Sequence, residues 1–79
     1  MNLTGATSTQ TTRISVSDVR RGMVVVDGAG DRWAVQATAC PIDDMAGVYL
    51  TLAGTFGGTP SAGTFRYLTN DTVTVEVQA

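Results

Sequence analysis

Side chains able to do covalent or acid–base chemistry are scarce in this chain. Histidine and lysine are absent and Cys40 stands alone, so no imidazole or amine is present to activate a nucleophile. An enzyme is not expected. The same scarcity removes a zinc site made of cysteine and histidine, and a disulfide within the chain. No cofactor is expected either. Asp43-Asp44 is the one adjacent pair of carboxylates. A calcium loop needs further oxygen ligands at fixed spacing, which are missing around it, so the pair reads as a solvated acidic loop and no metal site is assigned. Gly28-Ala29-Gly30 reads as a turn, because no helix follows to present its N-terminus to a phosphate.

What remains is recognition chemistry. The basic residues are Arg13, Arg20, Arg21, Arg32 and Arg66, and Arg20, Arg21 and Arg66 are the candidates for a small anion-binding or partner-binding patch. The plainer reading pairs the arginines singly with Asp18, Asp27, Asp31 and Asp71, at about 0–1 kcal/mol each. Among the aromatics, Tyr49 is a candidate contact residue because the alternation of its own strand turns it away from the core. Phe56 is another, since it lies among glycines in what reads as a long flexible tip, Ala53–Gly63. Trp33 and Tyr67 are assigned mainly to the core.

The elements that carry these residues read as short strands. Met23–Val26 and Arg32–Thr38 flank Asp27-Gly28-Ala29-Gly30-Asp31, a hairpin in which Trp33, Val35 and Ala37 share one face and Arg32, Gln36 and Thr38 the other. Val24 and Val26 are taken as its core residues on the first strand. Before it, Arg13–Val16 forms a strand with Ile14 and Val16 inward. Ser17 caps a single helical turn, Val19 plugs the core, and Gly22 closes the turn in a left-handed conformation. Cys40–Gly47 is a loop broken by Pro41. Val48–Leu52 alternates, with Val48, Leu50 and Leu52 inward. Thr64–Leu68 places Phe65 and Tyr67 on one face, and Thr72–Val77 places Val73, Val75 and Val77 inward and Glu76 outward. One contiguous core of Trp33, Val35, Leu50, Phe65, Val73 and Val75 is expected. Residues Met1–Thr12 are polar and threonine-rich, an arm that orders only against the folded domain or a neighbouring copy. The chain thus divides into the arm, 1–12, and one domain, 13–79.

About five or six short strands with closely spaced turns and no helix beyond one turn give an all-β fold, a small antiparallel barrel. The stretch VSDVRRGMVVVDGAGDRWAVQA resembles the opening of SH3-like small barrels. Together with RYLTNDTVTVEV it is also similar to the short β-rich accessory proteins of bacteriophages that infect GC-rich, actinobacterial-type hosts, and SAGTFRY is similar to a segment of phage head-decoration proteins. The resemblance implies an SH3-like barrel, a virion or host-cytoplasm location and no catalytic residues.

Bulk properties set the remaining bounds. With 79 residues, the chain makes one domain that buries only roughly 60% of its unfolded surface, so a partner can supply part of its stability. The net charge of −2 disfavours nucleic acid and anionic membranes as partners. The N-terminal sequence lacks the pattern of a secretory signal, and no apolar run approaches membrane-spanning length, so a cytoplasmic protein is expected. The leading expectation is a homo-oligomeric protein-interaction or assembly module. The alternative is a small barrel that binds nucleic acid or a nucleotide through the arginine patch, with Tyr49 or Phe56 stacking on bases.

Overall fold

A computed structural model describes residues 10–56 and 58–77. The fold is all-β. Six antiparallel strands, β1 (Thr11–Ser15), β2 (Val24–Val26), β3 (Arg32–Ala39), β4 (Gly47–Phe56), β5 (Thr59–Leu68) and β6 (Thr72–Glu76), form one sheet in the order β1-β6-β2-β3-β4-β5. β1 and β5 do not pair, so the sheet stays open where a closed barrel was expected. β1 begins at Thr11, two residues earlier than the sequence suggests, and pairs with β6 from Thr11 opposite Glu76 to Ser15 opposite Thr72. Residues 1–9 of the expected polar arm lie outside the described residues.

Alternation decides the core. Val48, Leu50 and Leu52 of β4, Val35 of β3, Val73 and Val75 of β6, Val25 of β2, and Val16 and Val19 of the connection between β1 and β2 are buried and form one cluster, with Ile14, Met23, Trp33 and Tyr67 packed against it. Each such aliphatic side chain contributes roughly 1.5–3 kcal/mol when fully removed from water. The core of β2 is Val25, not Val24 and Val26. Three consecutive valines carry no phase of their own. The register sets it by placing Val25 opposite Trp33 on one side and Val75 on the other.

Three further expectations change. Phe65 lies on the inner face of β5 but is 47% exposed, because β5 is an edge strand and nothing in the open sheet covers its outer flank. Val77 lies past the end of β6 and is equally exposed. In β3 the alternation breaks between Val35, opposite Leu52, and Ala37, opposite Thr51. This bulge at Gln36 shifts Ala37 off the face of Trp33 and Val35 and brings Thr38, opposite Leu50, onto it. Up to Val35, β3 is held on its other side as well: Val35 donates to the Met23 carbonyl at 2.8 Å and accepts from the Gly22 amide at 2.9 Å. The bulge falls just beyond that support.

The single helical turn, Val16–Asp18, is capped by Ser15, whose hydroxyl accepts from the Ser17 amide at 3.3 Å. Ser17, the expected cap, instead donates its hydroxyl to the Thr69 carbonyl at 3.1 Å. Gly22 takes the left-handed conformation foreseen for it, with φ of 95°. The supposed flexible tip is a continuation of the β4–β5 ribbon: Phe56 pairs with Thr59, leaving two residues in the turn.

Candidate functional site

On the outer face of the β4–β5 ribbon, Tyr49 and Arg66 are directly opposite each other, and the loop between β3 and β4 drops Asp44 between them. Arg66 donates to both Asp44 carboxylate oxygens, from Nε at 2.7 Å and from Nη2 at 2.8 Å, and the Tyr49 hydroxyl donates to Oδ2. A bidentate guanidinium is the strongest partner a carboxylate can find among side chains. It holds the Asp44 carboxyl well below the usual carboxylate range, with the Tyr49 hydroxyl second in effect. In turn the carboxylate pushes the Tyr49 phenol up. Asp44 is therefore a loop anchor, not a solvated loop residue, and the register brings the two candidate residues Tyr49 and Arg66 together with their polar atoms already engaged.

The other arginines do not join them. Arg20 donates from Nη1 to the carbonyls of Ser17 at 3.1 Å and Val19 at 3.2 Å, closing its own turn. Arg21 follows it on the exposed surface of the same turn. Arg13 donates to the Thr72 hydroxyl at 3.0 Å. Arg32 pairs with Glu76, donating from Nε to Oε2 and from Nη2 to Oε1 at 2.9 Å, an ion pair that spans β2 because β3 and β6 flank that strand. Glu76, read from the sequence as outward, is only 9% exposed. Arg32 holds its carboxyl below the ordinary value. Among the described residues the ion pairs are thus Arg66–Asp44 and Arg32–Glu76, and neither matches the pairings expected from sequence.

Asp27 serves the first hairpin instead of an arginine. Its Oδ1 accepts from the amides of Ala29 and Asp31, both at 2.9 Å, and its Oδ2 accepts from the indole of Trp33 at 3.1 Å. The indole contact, followed by the turn amides, lowers its pKa. Trp33 is thereby fixed in orientation. It lines a shallow cleft of about 220 Å³ with Val25, Asp27, Leu52, Phe65 and Tyr67, and burial pushes the Tyr67 phenol up. This aromatic cleft, bordered by the edge of β5, was missed by a reading that assigned Trp33, Phe65 and Tyr67 to the core. The side chain of Phe56, the other candidate contact, lies outside the described residues.

Among the described residues no group of three or more His, Cys, Asp or Glu side chains is placed to hold a metal ion. No helix among them is long and apolar enough to cross a membrane. No family model, curated protein or solved structure matches this chain.

Proposed function

We propose that this protein is a non-enzymatic interaction module that self-associates and serves as a component of a larger assembly, of the phage accessory or decoration type that its sequence resembles. The observation that carries this reading is the open sheet, which among the described residues leaves the outward-facing backbone groups of β1 and β5 without strand partners in so small a domain. Around those edges Phe65, Leu68 and Val77 are each close to half exposed, and Ile42 and Met45 on the loop before β4 are almost wholly so. Apolar groups and free strand edges favour protein contact. The engagement of Arg66 with Asp44 and of Arg20 with the carbonyls of its own turn ties up two of the three arginines, Arg20, Arg21 and Arg66, on which the nucleic-acid alternative relied.

Light scattering coupled to size-exclusion chromatography tests the reading. Species heavier than the 8.2 kDa monomer are expected at micromolar concentrations for the full chain. A variant lacking residues 1–9 tells whether the arm or the domain carries the contact. A full chain that stays monomeric throughout refutes self-association.

A further inference from the structure

The outer edge of β5, which no strand pairs among the described residues, is interrupted at two points placed symmetrically about Thr64. Phe56 and Thr59 close the two-residue turn of the ribbon, and closing pairs of such turns are hydrogen-bonded pairs. Odd-numbered residues of β5 therefore direct their N–H and C=O groups at β4 and even-numbered ones at open space. Two bonds outside the ladder agree. The Thr69 amide donates back toward β4, to the Ala46 carbonyl at 2.9 Å, whereas Leu68 faces away and is bonded locally, its amide donating to Asp71 Oδ2 and its carbonyl accepting from the Asp71 amide, both at 2.9 Å. At the other end Pro60 faces the open edge without an N–H to offer. Between these stops, Ala62, Thr64 and Arg66 are exposed, and their outward amides and carbonyls are what a docking strand would meet.

We propose that β5 pairs antiparallel with β5 of a second copy of this chain, about a two-fold axis at Thr64, joining two sheets into one. The inference rests on the self-association reading and assigns it a surface. Pairing about Thr64 sets Ala62 opposite Arg66, Thr64 opposite Thr64 and Arg66 opposite Ala62, three pairs that each exchange two backbone hydrogen bonds. Pro60 of each copy then falls opposite Leu68 of the other. The residue without a donor meets the residue whose donor is already used, so neither stop leaves an unpaired N–H.

The side chains suit the same register. On the outer face each Arg66 lies opposite a small alanine, and no like charges oppose one another. On the inner face Phe65 lies opposite Gly63. The Phe65 ring leans over its own Gly63, within 3.3 Å of where a Cβ on that glycine would sit, and so toward the axis, where the ring of the second copy approaches it. The exposed aromatic surface of both copies is covered in the contact, and two rings meet. Proteins blunt their edge strands against this kind of pairing with prolines and charges. Here the blunting stops at the ends of a window that is its own complement.

Thr64→Pro tests the pairing, because it deletes an amide that the protomer does not use and leaves the ladder to β4 intact. The dissociation constant of self-association is expected to rise about tenfold or more, with the circular dichroism of the monomer unchanged. Thr11→Pro, on the opposite edge, is expected to leave association as it is. Spin labels on Thr64→Cys and Thr59→Cys, each in a Cys40→Ser background, read the register without touching the backbone, and the shorter inter-label distance is expected at Thr64. A full chain that never associates refutes the self-association reading itself. Association that survives Thr64→Pro, or labels closer at position 59 than at 64, overturns the β5 pairing and leaves self-association standing.

Discussion

Asp44 carries more interactions than any other acidic side chain of the outer face, and its protonation has a direction that can be worked out. Arg66 and the Tyr49 hydroxyl depress its pKa in the folded protein, so it contributes stability that is present above the unfolded carboxylate value of about 3.9 and is lost as pH falls through the folded value. Glu76, depressed by Arg32, adds a contribution of the same sign. Thermal melts as a function of pH are expected to fall on the acid side in the full sequence and to fall less steeply there in Asp44→Asn, which keeps the Glu76 contribution. Absorbance titration of the same variant should bring the Tyr49 phenol back down toward its ordinary value, while the Tyr67 phenol, raised by burial, stays where it is. None of these partnerships was legible in the sequence. Tyr49 and Arg66 could be placed on strands, but only the β4–β5 register shows them opposite each other, and no local pattern says that a loop carboxylate folds onto that pair.

The strands themselves were far more readable, because alternating burial writes itself into sequence. Leu50 is 0% exposed at the centre of β4, and Leu50→Ala is expected to cost about 2–5 kcal/mol, measurable by urea denaturation. Gly54 is a different kind of core position. A Cβ there would lie 2.6 Å from the Arg32 carbonyl oxygen and 2.8 Å from Trp33 Cε3, so Gly54→Ala should destabilise by about 1–3 kcal/mol, the β3–β4 backbone being unable to yield freely. Gly28, with open space around its Cβ position, should accept alanine with little change. The errors at this scale have specific physical sources. Counting back from the five-residue turn opposes Arg32 to Val26 and Trp33 to Val25, which would have put Val25 in the core. The run of valines hid that phase. The bulge at Gln36 and the extension of β4 and β5 through a glycine-rich stretch are set by pairing, and single-strand propensity has no access to either.

At the scale of the molecule the all-β class followed from the absence of helical periodicity and the density of turns, whereas closure did not. Whether β1 meets β5 depends on how far the sheet curls and on the length of its edges, five residues against ten, and those are sums over every strand pair. The open seam turns what would be a sealed core into a domain with two free flanks and an aromatic cleft at one of them. Elsewhere the sheet brings distant parts of the chain together: the Val77 amide donates to the Gln10 carbonyl at 2.8 Å, where β1 and β6 run side by side. The order in which the strands are joined is therefore open to rewiring. A circular permutant of residues 10–77, linked from Val77 to Gln10 by a few glycines and opened in the turn between β2 and β3, is expected to fold to the same sheet with a similar denaturation slope, since the ends it joins are already neighbours.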